Sequence, residues 1–391
     1  MSEAEPNNAA NANRMGMAAL SANDPAAAAR HFERAVAGDP KAGALWKNLA
    51  SAHRAMGDNA AERAALDAAL DLDRTDFMAW LRKAELLERC GEVPAAVAAW
   101  SGVLQLSRQL TPLPEGLVQA LSHGQNYVSE QQEALSHIIE HGMADALAGL
   151  STTARRRANA FVDQLTRQRR IFRNECAGLY YPFLPADEFF DEHHFPWFAG
   201  LAAATPAIRA EFEALIANGD AALRPYVRLD KGSPQNKWSA LDNNLDWGAC
   251  FLWEYGKPNA PVLDKCPATK QALAALPQTT IPNRAPTAFF SLLKPRAHIP
   301  AHTGVSNTRA IIHLPLIVPD RCRFRVGGET REWVEGVPFA FDDTIEHEAW
   351  NDSEGLRVVL IFDVWNPHLT TDEQRIICQY YDAADRGEQR R

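Results

Sequence analysis

Apolar and polar positions in the N-terminal part of the chain repeat with a period of 34 residues. Each repeat is typical of two amphipathic helices joined by a glycine turn, and each helix pair leaves an apolar face that only the next pair can cover. The pattern therefore predicts that residues 15–110 stack into a short α-helical superhelix with an open concave side. The positions that agree at this period are Asp24, Asp58 and Glu92; Phe32, Leu66 and Trp100; Ala35 and Ala69; Asp39 and Asp73; Trp46 and Trp80; and Gly57 and Gly91.

The same period and residue pattern resemble the tetratricopeptide repeat. This resemblance implies a module that gathers a protein or peptide partner along its concave side. A stack this short makes a shallow groove, so the alternative that the helices only brace the rest of the protein stays open.

The segments on either side of the repeats have a different texture. Residues 1–14 are rich in Ala, Asn and Glu and bury too little apolar surface to offset ordering, so we expect a disordered tail. Residues 111–178 keep a helical pattern but leave the 34-residue register, with Pro112 and Pro114 at the break. We expect this second segment to be a helical linker.

From residue 179 the chain changes to short apolar runs punctuated by glycine and Asn-Asp turns. One helix is predicted at 206–223, and the later runs alternate in the manner of β-strands. The pattern predicts an α+β multidomain protein whose domain 179–376 is an antiparallel sandwich or jelly roll, followed by a C-terminal tail, 377–391. The predicted strands are 249–255, 288–294, 309–318, 322–326, 338–341 and 356–365.

Composition narrows the function classes. A net charge of −9 argues against a nucleic-acid groove, which needs a concentrated basic surface. No run of 18 apolar residues occurs, and the N-terminus lacks the basic start and apolar core of a signal peptide, so we expect a cytoplasmic protein without a membrane span. Six scattered cysteines without a CxxC pair fit reduced thiols.

Two histidines in or beside runs of strand-forming residues, His302 and His347, are candidate metal ligands because neutral imidazole suits iron, copper or zinc. Either histidine alone fits a structural role equally well. Arg357 lies inside an apolar strand, where its charge is costly unless it meets an anion such as a carboxylate. His313 poses a similar question, since strand alternation places it on one face with Arg309. Together these residues outline a pocket for a metal and a dicarboxylate.

The residues around these positions resemble the aspartyl/asparaginyl β-hydroxylases, which are iron(II)- and 2-oxoglutarate-dependent oxygenases on a double-stranded β-helix. The resemblance is dense over 285–372 and extends more weakly back to about residue 180. It is carried by Ser291, the segment from His302 to His313, the run Phe341-Asp-Asp-Thr-Ile-Glu-His-Glu-Ala-Trp-Asn-Asp and the run Leu356-Arg-Val-Val-Leu-Ile-Phe-Asp-Val-Trp-Asn-Pro.

This resemblance implies roles for five residues toward the metal and the co-substrate. His302 and His347 would bind iron(II). Arg357, helped by Ser291, would hold the distal carboxylate of 2-oxoglutarate. His313 would hydrogen-bond the co-substrate carboxylate nearer the metal. Dioxygen would be the second co-substrate.

The third metal position differs from that of most oxygenases of this class, which carry Asp or Glu two residues after the first histidine. Here Gly304 stands at that place, as in the aspartyl/asparaginyl branch, where a water replaces the carboxylate. The resemblance implies that Asp343, a catalytic candidate, holds this water from the second shell. A simple turn aspartate is the alternative reading of Asp343.

On the substrate side, the resemblance makes Arg309 a candidate contact to a substrate carboxylate and places Trp247 along the substrate. Two positions depart from the animal enzymes: Ile311 stands where they carry a second arginine, and Asp242 or a neighbour replaces an arginine expected upstream of Trp247. Loss of these cations bears on recognition of an acidic side chain, but not on the oxygen chemistry.

We therefore expect a dioxygenase that hydroxylates an aspartyl or asparaginyl side chain of a protein or peptide, releasing succinate and carbon dioxide. The same chemistry on a lipid acyl chain or a free amino acid is one alternative. A non-catalytic repeat scaffold with a sensor β-domain is the other.

Overall fold

A computed structural model of the chain describes residues 4–110 and 115–388. It divides into two compact units, 1–168 and 169–391. This division lies before the predicted boundary at 178/179, because residues 174–178 already pair with loops of the C-terminal unit. The amide of Glu175 donates to the carbonyl of Thr344 (2.7 Å), and the amide of Ala177 donates to that of Gly304 (3.0 Å).

The N-terminal unit is helical throughout its described residues, apart from short connections. Its elements are α1 (Ala4–Ser21), α2 (Pro25–Gly38), α3 (Gly43–Met56), α4 (Asn59–Leu72), α5 (Phe77–Arg89), α6 (Val93–Ser107), α7 (Glu115–Ala148) and α8 (Thr152–Leu165). Helices α1 to α6 pack in successive pairs, which confirms the predicted helical repeat. None of the helices in the described ranges is both long and apolar enough to cross a membrane.

The positions that agree at the 34-residue period have structural roles. The repeated aromatic or leucine position is fully buried, with Phe32 and Leu66 at 0% and Trp100 at 1% exposure. Asp24 caps α2 and Asp58 caps α4, each by accepting a hydrogen bond from a backbone amide of the first helical turn. The 34-residue period therefore recurs at positions that fill the core or cap a helix, where packing and hydrogen bonding restrict the residue type most.

The prediction of a disordered tail at 1–14 was wrong for the described residues of that segment, since α1 begins at Ala4; residues 1–3 lie outside the described part. Ala9 and Ala12 are buried against α2. At Gly16 an added Cβ would lie 2.5 Å from the ring of Phe32. Small side chains bury this helix by close approach of backbones, which a search for large apolar residues misses.

The predicted helical linker 111–178 is helical only in α7 and α8. Residues 166–178 form no regular helix, and Pro112 and Pro114 lie outside the described residues.

The C-terminal unit combines helices with strands. Its helices are α9 (Phe198–Ala217), α10 (Ala260–Leu263), α11 (Pro267–Ala274) and α12 (Thr371–Glu388). Its strands are β1 (Arg224–Pro225), β2 (Trp247–Glu254), β3 (Lys257–Pro258), β4 (Ala288–Leu293), β5 (His298–His302), β6 (Arg309–Ile317), β7 (Cys322–Val326), β8 (Glu329–Glu332), β9 (Phe339–Phe341), β10 (His347–Asn351) and β11 (Arg357–Trp365).

All six predicted strands are present within two residues of their predicted ends. The sequence missed β1, β3, β5, β8 and β10, which are short and lack the apolar runs used to find strands. The predicted helix 206–223 is α9, which begins at Phe198 and contains Pro206.

The predicted C-terminal tail 377–391 was also wrong, because α12 extends to Glu388; residues 389–391 lie outside the described part. Ile377 on α12 is 3% exposed and packs with Ile281 and Leu369. The sequence pattern missed the apolar stripe of α12 because this helix also carries many charged residues.

The strands form two antiparallel sheets, as predicted for this unit. The larger sheet has the order β1-β2-β4-β11-β6-β9, with β3 also paired to β2. The smaller sheet has the order β5-β10-β7-β8.

Alternation along β6 and β11 separates two cores. Ile312 and Leu360 belong to a core shared with α9, whereas Ile311 and Val359 belong to a second core that includes side chains of both sheets. Because side chains alternate, Arg357 lies on the same side of β11 as Val359. The candidate polar residues therefore project toward the core shared by the two sheets.

Replacing Gly124 of α7 by alanine tests the packing of the repeat unit against Trp100. An added Cβ would lie 2.3 Å from Cε3 of Trp100, so the helices must move apart. We expect Gly124→Ala to lower the free energy of unfolding by about 1–3 kcal/mol. Thermal unfolding of the full chain followed by circular dichroism measures this change.

Gly142→Ala is the matched control on the same helix, because no described atom lies within 4 Å of its added Cβ. There alanine should be neutral or stabilise by up to about 1 kcal/mol through helix propensity. Equal effects of the two substitutions would contradict the packing described.

Candidate metal centre and anion site

His302 and His347 are direct cross-strand neighbours, because the register of β5 and β10 pairs them. Their ring centroids lie 4.0 Å apart. Nδ1 of His302 contacts the carbonyl oxygen of Pro300 at 2.8 Å, and Nδ1 of His347 contacts that of Ile345 at 3.0 Å. A carbonyl only accepts, so both Nδ1 atoms carry the proton and both Nε2 atoms keep a lone pair.

Burial keeps both rings neutral. It lowers the pKa of His302 to about 4 and, with the neighbouring His302, holds the pKa of His347 well below its ordinary value. A neutral imidazole with a fixed tautomer is the form that binds a transition metal. The pair therefore offers two nitrogen ligands on adjacent strands.

Gly304 and Asp343 are in contact at the position where a third ligand would be expected. The amide of Gly304 donates to the carbonyl of Asp343 at 2.6 Å. A Cβ at residue 304 would lie 2.0 Å from Oδ2 of Asp343, so the Asp343 carboxyl fills the space of the missing side chain. Within residues 4–110 and 115–388, no cluster of three His, Cys, Asp or Glu side chains could hold a metal, so Asp343 does not complete a protein triad.

Asp343 is nevertheless an unusual carboxyl group. Burial raises its pKa to about 7, and the nearby Arg309 acts in the opposite direction. Its Oδ1 atom has no hydrogen-bond partner in the described structure. A buried oxygen without a partner beside two histidines is consistent with a group that holds a further ligand.

The loop that carries Asp343 is fixed by its neighbours. Asp342 accepts hydrogen bonds from the amide and hydroxyl of Thr344 (2.9 and 2.6 Å) and from the side-chain amide of Asn174 (2.7 Å). Asn174 also donates to the Thr344 hydroxyl at 3.0 Å. Asn174, which precedes the strands in the chain, thus holds the loop of residues 342–344 in place.

Arg357 is a buried cation, with 1% of its surface exposed. Its guanidinium lies 4.9 Å from the ring centre of Trp333 and donates from Nη1 to the Ser291 hydroxyl at 3.4 Å. Burial lowers its pKa to about 10, and no described group accepts a hydrogen bond from its Nε. In the described part of the chain no acidic side chain forms an ion pair with Arg357, so its charge is available to an anionic ligand.

Ser291 links this cation to Trp247. Its hydroxyl oxygen accepts from Nε1 of Trp247 at 3.1 Å as well as from Arg357. With both lone pairs engaged, the hydroxyl proton of Ser291 is free to donate to an anion.

His313 lies among aromatic rings and is 5% exposed. Burial, the charge of Arg357 and nearby His347 hold its pKa well below the ordinary value, so the ring is neutral. Its Nδ1 atom has no described partner. The structure thus places His313 close enough to Arg357 and His347 for both to act on its pKa, and Ser291 in contact with Arg357.

Two predicted substrate residues are placed differently from the expectation. Arg309 donates from Nη1 to the buried Asp363 at 2.6 Å, so its charge is already paired. Trp247 is only 6% exposed and lies under the ring of Tyr226 at 3.9 Å, so Tyr226 presents the accessible surface there. Asp242 accepts from the amide of Leu229 at 2.8 Å and stabilises a loop.

The sequence missed several residues at the site. Trp238 packs edge-on against the His302 ring at 5.0 Å, and Lys237 donates to the carbonyl of Ala301 at 2.8 Å. Trp333 and Asn174 were missed as well. These residues lie in segments without strand or helix periodicity, so no sequence signal assigns them to the site.

The geometry defines an antiparallel β-domain with two neighbouring neutral histidines and a buried arginine. Residues 202–367 match the family model described as "Aspartyl/Asparaginyl beta-hydroxylase". The C-terminal domain of this chain belongs to the aspartyl/asparaginyl β-hydroxylase family, as the sequence motifs predict.

The names of similar proteins indicate different activities for them. The chain is 37% identical over 139 residues to human "Aspartyl/asparaginyl beta-hydroxylase", covering 34% of this chain and 18% of that protein. It is 34% identical over 196 residues to "Ornithine lipid ester-linked acyl 2-hydroxylase" of Rhizobium tropici, covering 49% and 66%. A rat "Aspartate beta-hydroxylase domain-containing protein 2" is 31% identical over 175 residues, covering 44% and 48%. The chain thus spans about a fifth to two thirds of these relatives.

Solved structures with similarity include tetratricopeptide domains. The TPR2B domain of yeast Sti1, in its pHsp70 complex, shares 16% identity at a TM-score of 0.29, and the match covers 32% of this chain and 98% of that one. The Arabidopsis OM64 TPR domain shares 15% identity at a TM-score of 0.29, with 32% and 98% coverage.

The buried neutral His313 predicts a pH dependence of stability in the metal-free protein. Its folded-state pKa lies below the ordinary 6.5, so the unfolded chain binds the proton first as the pH falls. The contribution of neutral His313 to the free energy of unfolding is fully present above pH 6.5. It is lost as the pH falls toward the folded-state pKa, at up to about 1.4 kcal/mol per pH unit. This slope is set by the number of protons that the chain takes up on unfolding, and His313→Phe should lower that number by up to one.

Urea unfolding followed by fluorescence at several pH values between roughly 5 and 7 measures both slopes. Identical slopes for the wild type and His313→Phe would contradict a neutral buried His313.

Proposed function

We propose that this protein is an iron(II)- and 2-oxoglutarate-dependent dioxygenase that hydroxylates an aspartyl or asparaginyl side chain of a polypeptide. In this proposal its two antiparallel sheets form a double-stranded β-helix. The observation that carries the proposal is that the buried Arg357 has no acidic partner among residues 4–110 and 115–388, while His302 and His347 direct their Nδ1 atoms to backbone carbonyls and leave Nε2 for a metal.

The environment of Arg357 suits a dicarboxylate. A buried guanidinium without a counter-charge is costly, and a bidentate carboxylate relieves that cost best. Ser291 adds a donor beside it, and neutral His313 can donate a hydrogen bond without adding charge. These three residues would bind and orient 2-oxoglutarate by its carboxylates.

The two histidines fit iron(II). His302 and His347 would hold the metal through Nε2, and their backbone contacts fix the direction of both rings. Asp343 would hold a further metal ligand through its unpartnered oxygen beside Gly304. When bound, iron(II) with 2-oxoglutarate and dioxygen supplies the oxidising power for C–H hydroxylation and releases succinate and carbon dioxide. The surrounding aromatic rings exclude water from this chemistry.

Polypeptide substrates are supported by the family and by the predicted role of the repeats in gathering a protein partner. We place the reaction in the cytoplasm, as the sequence predicts. A second candidate substrate is a lipid acyl chain. The rhizobial relative named for acyl 2-hydroxylation and the apolar Ile311 both favour it.

Ligand-induced stabilisation and succinate formation test the proposal together. We expect 2-oxoglutarate with Mn²⁺ to raise the melting temperature of the wild type, since a ligand that binds only the folded state stabilises it. Arg357→Met should abolish the effect of 2-oxoglutarate, and His302→Ala that of the metal. Both variants should lose iron-dependent succinate formation.

His298→Gln is the matched control, because this exposed histidine lies on the same strand as His302. It should retain both readouts. Arg357→Met replaces an unpaired buried charge, so the unliganded variant should be as stable as the wild type or more stable. Retained 2-oxoglutarate turnover in Arg357→Met and His302→Ala would overturn the assignment.

The contact between Gly304 and Asp343 gives a second prediction. Gly304→Ala displaces the Asp343 carboxyl, so we expect about 10–100-fold weaker binding of a divalent metal. Asp343→Ala should cause a similar loss, and the double variant no further loss, because both substitutions act on one contact. Calorimetric titration with Co²⁺ measures all three; additive losses would contradict this coupling.

A further inference from the structure

The loop of residues 227–243, which no sequence motif assigns to the site, lies beside β5, the strand that carries His302. Its ends are close together: the amide of Asn243 donates to the carbonyl of Val227 at 3.0 Å. Leu241, near one end, is 4% exposed and belongs to the core shared by the sheets. The loop is therefore fixed at its base, and its tip, 231–237, is exposed.

Trp238 and Lys237 bring this loop to the strand that carries His302. The Trp238 ring packs edge-on against His302 at 5.0 Å and stacks against Trp247 at 6.1 Å. The Lys237 ammonium donates to the carbonyl of Ala301 at 2.8 Å and lies 5.4 Å from the centre of the Trp238 ring. One lysine and one indole thus cover the first histidine.

Of the described cations considered for the site, Arg309 and Arg357 are engaged elsewhere, whereas Lys237 is open to a substrate. Arg309, predicted for a substrate carboxylate, is neutralised by the buried Asp363. Arg357 is buried and serves the co-substrate in the proposed function. An ammonium has three donors, and the carbonyl of Ala301 takes one of them.

The chemistry of the loop favours a polypeptide over a lipid surface. Between residues 227 and 243, all of which the structure describes, no large apolar side chain is exposed. A surface that inserts into a membrane needs exposed apolar groups beside its cations. A half-buried indole next to a lysine instead suits an extended chain that carries carboxylates.

We propose that Lys237 and Trp238 are specificity-determining residues that recognise an acidic polypeptide segment at the metal centre. Lys237 takes the role that the sequence predicts for Arg309, and Trp238 forms the wall against which the substrate backbone lies. This inference rests on the proposed function and names its substrate class.

Fluorescence anisotropy of a labelled peptide of alternating Gly and Asp tests the proposal on the full chain. The protein is loaded with iron(II) and 2-oxoglutarate without dioxygen. Lys237→Gln should weaken binding about tenfold, as expected for loss of a charge-assisted hydrogen bond, and Lys237→Arg should restore it. Trp238→Ala should weaken binding more than Trp238→Phe, which keeps an aromatic wall.

Lys231→Gln is the matched control, since it removes an exposed lysine from the same loop. It should bind the Asp peptide like the wild type, within about twofold. A peptide with Asn in place of Asp should bind the wild type weakly. Unchanged affinity in Lys237→Gln, or equal affinity for the Asn peptide, overturns the proposal, and so does Lys237-dependent binding of phosphatidylglycerol vesicles without peptide binding.

The melting temperature separates this proposal from the proposed function. Lys237→Gln should keep the rise caused by 2-oxoglutarate, which shows that the variant is folded and loaded. If the wild type itself shows no such rise, the proposed function fails. If the rise is present and peptide binding ignores Lys237, only the substrate assignment fails.

Discussion

The pairing of β10 with β5 sets His347 directly opposite His302, and the chemistry proposed for this protein depends on that register. Side chains alternate along a strand, so a slip by one residue would turn one imidazole to the opposite face. Strand β7 holds the register from the other side by pairing Val326 with His347. Backbone carbonyls then orient both rings, so the fold fixes the directions of the two imidazoles that are the proposed metal ligands.

A second constraint is the cost of polar groups inside an apolar core. Arg357 and His313 are buried and Asp343 is half-buried, and each has a buried side-chain atom without a described hydrogen-bond partner. Such groups reduce stability unless a ligand satisfies them. Burial alone explains the direction of their pKa shifts, which keep His313 neutral and raise the pKa of Asp343. The lower stability caused by these unsatisfied groups is consistent with a ligand site. A ligand that satisfies them would also stabilise the folded β-domain.

Some contacts reassign residues that look equivalent in sequence. Arg309 and Arg357 both lie at the start of apolar strands, but in the part of the chain that the structure describes only Arg309 meets a carboxylate, that of Asp363. No pattern distinguishes them, because the partner of Arg309 is 54 residues away and becomes a neighbour only through the pairing of β6 with β11. Lys237, from a loop without periodicity, instead donates to the carbonyl of Ala301, the residue before His302.

The sequence by itself determined the helical repeat, the longer strands and the principal candidates His302, His347 and Arg357. Period and burial preference are local properties, and the family motif is dense around these residues. Only the tertiary structure decided that α1 packs by alanine contacts and that Asp343 fills the space beside Gly304. Both depend on distances between segments remote in sequence, and a linear pattern contains no such distances.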